Sequence, residues 1–167
     1  MSAVVLMASP RRGGRCERWA RETTHELQDA DSMPAPVIRV ADLCIAGCRA
    51  CDACRTAPDH ACIIRDDMDS VNDALSQANV LALVTPVYFA GPPAQLKALL
   101  DRLQPHFWRG TRKLPKRRAL LYVVGDGGDP HGYEPLVTIV RSALAVAGFE
   151  LEATQARIGA PAAEEGN

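Results

Sequence analysis

Four cysteines fall within fifteen residues of one another, and this cluster is the feature of the sequence most suited to metal or redox chemistry. Cys48, Cys51 and Cys54 are separated by two residues each, and Cys62 follows after seven more. Three thiolates at this spacing can wrap one face of a cubane iron–sulfur cluster, and the more distant Cys62 can close the site. The spacing therefore predicts one shared site formed by Cys48, Cys51, Cys54 and Cys62, of a kind that can hold an iron–sulfur cluster.

The spacing alone leaves two other states of these cysteines open. Four thiolates can hold tetrahedral zinc, although two Cys-x-x-Cys units that share Cys51 are less usual than two separated pairs. The cysteines can also be free or form redox disulfides. Arg49 and Arg55 would offset the negative charge of a cluster. Cys44 is interpreted as a structural residue near the end of the second predicted strand.

A second candidate site is the loop at residues 9–16, which follows a buried apolar run and precedes a predicted helix. A serine hydroxyl, flexible glycines, arginines and free backbone N–H groups at a helix N-terminus form an anion site suited to a phosphate monoester. The alternative is a solvated turn. The candidate residues are Ser9, Arg11, Gly13, Gly14, Arg15 and Cys16.

Two further loops also follow predicted strands. The proline-stiffened loop carrying Pro86, Val87, Tyr88 and Phe89 can wall a flat ring system, although the two aromatic side chains can equally pack under the next helix. The glycine-rich loop allows close approach of the backbone to a ligand; its residues are Gly125, Asp126, Gly127 and Gly128. The sequence contains neither a Walker A loop nor a G-x-G-x-x-G fingerprint, which argues against nucleoside triphosphates and a Rossmann dinucleotide site.

The elements that carry these loops alternate between apolar runs and amphipathic segments. The patterns predict strands at 3–7, 37–40, 80–84, 119–124 and 149–158, and helices at 16–28, 66–78, 94–103 and 134–147. This alternation predicts an α/β fold, a doubly wound five-stranded parallel sheet of the flavodoxin type with strand order 2-1-3-4-5. Ligands bind such sheets at the carboxyl ends of the strands, where the order reverses.

The same loops carry a resemblance to a known family. The segment Ala8-Ser9-Pro10-Arg11-Arg12-Gly13-Gly14 resembles the G-S-P-R-x-G-G-N-T phosphate loop of the NAD(P)H-dependent FMN reductases within the flavodoxin-like superfamily. Residues 85–89 and 94–102 are similar to the T-P-V-Y-F and A-Q-L-K-A-x-x-D-R motifs of that family. With the cysteine cluster and Ile64-Arg65-Asp66-Asp67-Met68, the sequence resembles the iron–sulfur flavoproteins in particular. The resemblance covers about residues 3–128.

The resemblance implies an FMN-binding domain at residues 1–158, with a cysteine-rich insertion at 44–62 and a flexible tail at 159–167. FMN would place its phosphate on the loop at 9–16 and its isoalloxazine against Pro86–Phe89, with a four-iron cluster near the flavin edge. The sequence departs from the family pattern at Arg15-Cys16, where the family has Asn-Thr, and this bears on FMN affinity. Beside Arg15 at a helix N-terminus, Cys16 is either a reactive thiol of lowered pKa or a packed thiol.

Composition and charge restrict the function classes. The 167 residues include 19 basic and 20 acidic side chains, so no global field favours nucleic acid or a membrane surface. One local basic run at 109–118 follows Phe107 and Trp108; it is interpreted as a solvated loop, with contact to a nicotinamide phosphate, an acidic electron partner or nucleic acid as alternatives. With neither a secretory pattern nor an apolar stretch long enough to span a membrane, the expected location is the cytoplasm.

The expected activity is an FMN-dependent NAD(P)H oxidoreductase that passes electrons to a small-molecule acceptor or a redox protein, with or without a 4Fe-4S cluster. The alternative is a flavodoxin-like electron carrier, an iron–sulfur flavoprotein fed by ferredoxin that has no small-molecule substrate of its own. We expect no catalytic side chain, because the flavin carries the redox chemistry. The resemblance implies a homodimer or homotetramer, for which Phe107 and Trp108 are candidate interface residues.

Overall fold

The computed structural model describes residues 2–28 and 33–159. Its centre is a five-stranded sheet in which all neighbouring strands run parallel. The strands are β1 (Ala3–Met7), β2 (Val37–Arg39), β3 (Val80–Pro86), β4 (Arg117–Gly125) and β5 (Phe149–Ile158). Their order across the sheet is β2-β1-β3-β4-β5, which confirms the predicted flavodoxin-like topology.

Helices cover both faces of this sheet. Those in the described residues are α1 (Arg15–Glu26), α2 (Ala53–Thr56), α3 (Met68–Gln77), α4 (Ala94–Asp101), α5 (Gln104–Trp108) and α6 (Glu134–Val146). The larger core lies under α3, α4 and α6, against one face of the strands. The smaller core lies under α1, where Trp19 packs edge-on against Tyr122 with ring centroids 5.1 Å apart. The sheet is thus buried by three long helices on one side and by one on the other.

The predicted boundaries differ from the observed ones by a few residues. The helix predicted from Asp66 begins at Met68, because the Asp66 carboxylate accepts a hydrogen bond from the Met68 N–H and so ends the preceding loop. The second strand ends at Arg39, since Val40 begins a single 3₁₀ turn. The short helices α2 and α5 were not predicted. The predicted tail at 159–167 lies outside the described residues except for Gly159.

Arg117 fixes the amino-terminal end of β4, at the edge of the sheet opposite the predicted sites. Its guanidinium donates to carbonyls at the ends of two helices, Ala78 after α3 at 3.0 Å and Ala147 after α6 at 3.0 Å. It also lies 4.0 Å above the Phe149 ring. A cation is favourable at a helix C-terminus, so one side chain stabilises both. Among the described residues, no helix is long and apolar enough to cross a membrane.

Candidate functional site

A cleft of about 400 Å³ opens at the carboxyl ends of β1, β3, β4 and β5. The topology places it where the strand order reverses, as expected for a doubly wound sheet. Every predicted cofactor-binding residue except Gly13 lines it. Those residues are Ser9, Arg11, Gly14, Arg15, Cys16, Pro86, Val87, Tyr88, Phe89, Gly125, Asp126, Gly127 and Gly128.

The start of α1 supplies the floor of the cleft. Gly14 occupies the N-cap position of α1 and has no side chain that could cap the helix. The first N–H groups of the helix therefore remain available to a ligand. Ser9 is buried, and its hydroxyl accepts a hydrogen bond from the Arg11 N–H at 3.2 Å. This arrangement of hydroxyl, uncapped N–H groups and Arg11 has the chemistry of an anion site.

Gly13 lies in the same loop but does not line the cleft. Its φ of 66° is in the left-handed region, and its N–H donates to the Glu17 carboxylate at 2.7 Å. This backbone hydrogen bond is the main reason that the pKa of Glu17 lies below its ordinary value, with smaller contributions from Arg21 and Arg39. The Gly13 N–H is therefore engaged by the protein itself and serves to fix the loop.

Arg15 joins three loops at the end of the cleft. Its guanidinium donates to the Gly159 carbonyl, to the Gly125 carbonyl at 3.0 Å and to the Asp126 carboxylate. Only 21% of the side chain is exposed, whereas Asp126 is 94% exposed. The structure thus places the Arg15 guanidinium on the loops that follow β4 and β5, where it is engaged by the protein itself.

Cys16, at the end of the loop at 9–16, is 4% exposed. Burial raises the pKa of its thiol to about 11, and the hydrogen bond with Ser9 and the charge of Arg15 offset this only in part. The alternative of a reactive, low-pKa Cys16 is therefore wrong, because desolvation outweighs the helix terminus and the neighbouring arginine. Cys16 is a packed thiol.

The loop after β3 forms a two-residue turn in a strained conformation. Tyr88 and Gly91 exchange both backbone hydrogen bonds at 2.9 Å. Between them, Phe89 and Ala90 have φ values of 50° and 61°, in the region that favours glycine or asparagine. Phe89 is fully exposed at the tip, and Tyr88 is 45% exposed. Backbone strain of this kind is concentrated at functional sites, and here it presents two aromatic side chains at the cleft.

The loop after β4 approaches the loop after β3 closely at Gly125. A Cβ atom at this position would lie 2.7 Å from a Val87 methyl and 3.0 Å from the Ile158 Cδ1 atom. A side chain at position 125 would therefore have to displace the Val87 and Ile158 side chains. The cleft is completed by residues that the sequence analysis missed, and these are Ala90, Val124, Asp129, Gly132, Tyr133 and Ile158. Ile158 was predictable in principle, since β5 lies beside β4 in the predicted order.

The four clustered cysteines line a second cavity of about 230 Å³, bounded by the loop that precedes α2 and by α5. Apolar groups including Ile63, Pro105 and Trp108 form much of its wall. Ala50, Asp52 and His60 adopt left-handed φ values of 51°, 58° and 53°, which bend this segment sharply. The structure thus brings Cys48, Cys51, Cys54 and Cys62 together around this cavity, which we call the thiol cavity. Cys44 lies outside it.

One buried ion pair holds the thiol cavity against α4. The Arg102 guanidinium donates to both oxygens of Asp66, at 2.7 and 3.1 Å, and to the carbonyls of Ala46 and Ile64. The Arg102 side chain is 1% exposed. Burial raises the pKa of Asp66, but the hydrogen bonds from Arg102 and from the N–H groups of Ala46 and Met68 outweigh it and leave the pKa below its ordinary value. Two motifs that the sequence analysis quoted separately are therefore partners.

Three observations bear on whether the thiol cavity fits a metal group. The Arg102 Nε atom is buried without a hydrogen-bond partner in the described residues. Burial lowers the pKa of Arg102, but the Asp66 carboxylate and then the neighbouring Cys62 outweigh it and leave the pKa above its ordinary value. The Ala50 N–H donates to the Cys48 sulfur at 3.5 Å. In the described part of the chain, no three His, Cys, Asp or Glu side chains converge on a single metal ion. Four cysteine thiolates are the ligand set of a cubane cluster, so the residue types that line this cavity fit such a group.

The basic run at 109–118 is largely used by the fold. Arg117 caps two helices, Arg118 pairs with Glu152 at 2.7 Å, and Arg109 donates to the Asp59 carbonyl at 3.1 Å. The nine residues of β4 separate Arg117 from the cleft at Gly125. At the rise of a strand, that distance is about 26 Å, so this run does not reach a nicotinamide phosphate in the cleft of the same chain.

The candidate interface residues Phe107 and Trp108 have different surroundings. Phe107 is 50% exposed, and its ring meets the Trp108 ring edge-on at 5.0 Å. Trp108 faces the thiol cavity, and the Arg55 guanidinium lies 5.3 Å above its ring. Trp108 is thus part of the wall of that cavity.

One known protein family matches the part of the chain that forms the sheet and the first cleft. The model of the NADPH-dependent FMN reductase family matches residues 1–157, which include every residue of the five strands and of the linings of both cavities except Ile158. The chain belongs to this family. The cysteine cluster is a feature that more similar relatives within the family help to interpret.

Curated relatives of this FMN reductase family member are iron–sulfur flavoproteins of archaea. The one from Methanosarcina thermophila is 33% identical over 102 residues, 61% of this chain and 52% of the relative. One from Archaeoglobus fulgidus is 28% identical over 127 residues, 76% of this chain and 56% of the relative. The chain therefore spans about half the length of the curated relatives it matches.

A solved structure supports the fold. The crystal structure of RosB with bound 8-demethyl-8-formylriboflavin-5'-phosphate superposes with a TM-score of 0.68 at 16% identity. The match covers 97% of this chain and 66% of that one. At this identity the likeness shows that the two proteins share the flavodoxin-like fold.

Proposed function

We propose that this chain is an FMN-dependent NAD(P)H oxidoreductase that uses the cleft at the strand ends as its flavin site. The observation that carries the proposal is the combination of an uncapped α1 N-terminus with exposed aromatic side chains at one switch point. Family membership supports FMN as the ligand, and the bound riboflavin phosphate derivative of RosB occupies a protein of the same fold. When bound, FMN supplies the chemistry of hydride uptake from a nicotinamide and electron release to an acceptor.

The chain's own residues would bind and orient the flavin. The Ser9 hydroxyl, the first N–H groups of α1 and the Arg11 guanidinium would hold the phosphate through charge-assisted hydrogen bonds. Tyr88 and Phe89 would cover a flat ring, while the backbone of Gly127 and Gly128 approaches its polar edge. None of these groups needs to transfer a proton, so we propose no catalytic side chain.

We further propose that the thiol cavity holds a 4Fe-4S cluster ligated by Cys48, Cys51, Cys54 and Cys62. Arg102 is buried beside these thiols, and its unpartnered Nε would stabilise the negative charge of four thiolates. The names of the archaeal relatives support this assignment. A cluster would exchange single electrons with a redox partner, which would act as electron acceptor or donor. We propose that the protein works in the cytoplasm as a homodimer or homotetramer.

The flavin site is tested by comparing FMN with riboflavin, which lacks the phosphate. Arg11 lines the cleft, and within residues 2–28 and 33–159 its guanidinium makes no hydrogen bond or ion pair. Arg11→Ala should therefore weaken FMN binding by about tenfold or more and leave riboflavin binding unchanged. Arg12→Ala is the matched control, because Arg12 pairs with Asp42 at 2.9 Å outside the cleft. Equal effects of Arg11→Ala on both ligands, measured by flavin fluorescence titration, would contradict the proposed phosphate site.

The cluster is tested by iron and sulfide analysis of anaerobically purified protein. Cys51→Ser should lower the iron and sulfide content sharply, because it removes one of four ligands. Cys44→Ser is the matched control, since Cys44 is exposed and lies outside the thiol cavity. Iron without sulfide, zinc in place of iron, or an equal loss in both variants would contradict the assignment, and none of these results would affect the flavin site.

A further inference from the structure

Two arginines of the loop at 9–16 have different surroundings. Arg11 lines the cleft, and its guanidinium has no hydrogen-bond or ion-pair partner in the described part of the chain. Arg15 is the first residue of α1, and its guanidinium reaches segments that lie 110 and 144 residues away in the sequence. Its side chain is also largely buried. The contacts of Arg15 therefore indicate a role that differs from that of Arg11.

The loop at 125–128, which we call the glycine loop, has few hydrogen bonds of its own. Gly127 and Gly128 have φ values of 83° and 86°, in the left-handed region. Across the ranges that the structure describes, the N–H groups of Asp126, Gly127 and Gly128 donate to no protein acceptor. Free donors of this kind can bond to a ligand, but they leave the glycine loop without backbone bonds that would hold it in place.

The Arg15 guanidinium supplies a contact where the glycine loop leaves β4. It donates to the Gly125 carbonyl at 3.0 Å and to the Asp126 carboxylate. It also donates to the Gly159 carbonyl, and the Gly159 N–H in turn donates to the Gly125 carbonyl at 3.0 Å. In the described residues, no other side chain donates to the backbone of the glycine loop. One planar guanidinium thus ties this loop to the ends of β4 and β5.

The bonds to the two carbonyls are the stronger part of this contact. Asp126 is almost fully exposed, so water screens its attraction to Arg15. The hydrogen bonds to Gly125 and Gly159 are partly buried, and a charged donor makes a strong hydrogen bond in such a place. Position 15 therefore needs a side chain that can reach both carbonyls at once, which a guanidinium does and an ammonium group does not.

We propose that Arg15 is a positioning residue for the ring of the flavin and not a ligand of its phosphate. This inference rests on the proposed flavin site. Arg15 holds the glycine loop where the free N–H groups of Gly127 and Gly128 can meet the polar edge of the isoalloxazine. Without Arg15, flavin binding has to order the loop, and this conformational cost lowers the affinity. Riboflavin and FMN carry the same ring, so the cost is the same for both.

The first test compares the affinities for FMN and riboflavin in fluorescence titrations of Arg15→Gln. We expect both Kd values to rise about tenfold, while their ratio stays that of the parent chain. Arg11→Ala provides the contrast, because it should raise the Kd for FMN alone. If Arg15→Gln weakened FMN binding and left riboflavin binding unchanged, Arg15 would be a phosphate ligand and the proposal would be overturned. Two unchanged Kd values would overturn it as well.

A lysine at the same position separates the carbonyl bonds from the ion pair. Arg15→Lys keeps the positive charge beside Asp126 but cannot bridge the two carbonyls, so it should weaken both flavins almost as much as Arg15→Gln. Arg12→Ala is the control for losing an exposed ion pair near the same loop, and it should change neither Kd. Full flavin affinity in Arg15→Lys would show that charge alone is sufficient and would contradict the proposed bridge.

Amide hydrogen exchange of the flavin-free protein, followed by NMR, gives a readout that needs no flavin. The Gly159 N–H should exchange about tenfold faster in Arg15→Gln, because the segment that it joins to Gly125 opens more often. The N–H of Leu83, in the middle of β3, should keep its rate, whereas a general loss of stability would accelerate both. An unchanged rate at Gly159 would overturn the proposal. Faster exchange in a chain whose parent form binds no flavin would confirm the tie between the loops and contradict the flavin site alone.

Discussion

The cleft at the strand ends and the thiol cavity are positioned in different ways. The cleft is built from the ends of four hydrogen-bonded strands and the start of α1, so the sheet itself fixes the distances between its loops. The thiol cavity belongs to a segment without strands, whose only helix has four residues. That segment is attached through hydrogen bonds of the paired Arg102 and Asp66 side chains to the backbone of Ala46, and through Arg109, which donates to the Asp59 carbonyl. The cleft should therefore tolerate the loss of any single contact better than the cavity does.

The largest effect is expected at this ion pair. Arg102→Gln leaves the Asp66 carboxylate without its partner in a largely buried position, which should lower the free energy of unfolding by about 3 kcal/mol or more. Lys97→Ala is the matched control on the same helix, because its pair with Asp101 is exposed and should contribute about 0.5 kcal/mol or less. Urea denaturation measures both. Equal losses would contradict the different roles of the two pairs.

The second prediction concerns close packing in the cleft. Gly125→Ala forces a methyl against Val87 and Ile158, which should cost about 1–3 kcal/mol and weaken FMN binding. Gly47→Ala, in the segment that leads to the thiol cavity, meets no atom within 4 Å and should change neither property. If Gly47→Ala proved the more damaging, the cleft would not be the more closely packed region. Urea denaturation and flavin fluorescence provide the two measurements.

The third prediction is the acid dependence of the ion pair. The pKa of Asp66 is lowered in the folded protein, so its contribution to stability is present above the unfolded value, about 3.9, and is lost as the pH falls through the folded value. Asp66→Asn should therefore flatten the decline in stability below about pH 4. Stability profiles of the two proteins against pH, from denaturant titrations, measure this. Parallel profiles would show that the carboxylate does not contribute in this way.

The smallest effect is expected at the strained turn of the cleft. Ala90→Gly should stabilise the protein by about 0.5 kcal/mol, because glycine accepts the left-handed conformation that alanine adopts here at a cost. Ala98→Gly, in the middle of α4, should instead destabilise it by about 1 kcal/mol. Thermal unfolding distinguishes the signs. Destabilisation by Ala90→Gly would argue that the turn is not strained.

The sequence predicted best those site residues whose position depends only on the segments next to them in the chain. Ser9 and the loop at 86–89 were predictable because each directly follows an apolar run that reads as a buried strand. The topology then followed from the alternation of strands and helices. The spacing of the cysteines likewise indicated one shared site, and all four line one cavity.

The contacts that the sequence did not reveal join residues far apart in the chain. Arg15 and Gly159 are 144 residues apart, and Arg102 and Asp66 are 36 apart, so no periodicity or spacing relates them. The sequence left the state of Cys16 open, between a reactive thiol and a packed one, for the same reason. Its helix terminus and neighbouring arginine are visible in the sequence, whereas the burial that outweighs them depends on tertiary packing.

The central claim is that the cleft binds a flavin that a nicotinamide can reduce. The most direct measurement is the absorbance spectrum of anaerobically purified protein, loaded with FMN and then mixed with one equivalent of NADPH or NADH. We expect a yellow protein whose flavin absorbance is bleached by at least one of the two nicotinamides. Bound FMN that neither nicotinamide bleaches would favour the electron carrier over the oxidoreductase, and a colourless protein that does not retain added FMN would contradict the flavin site itself.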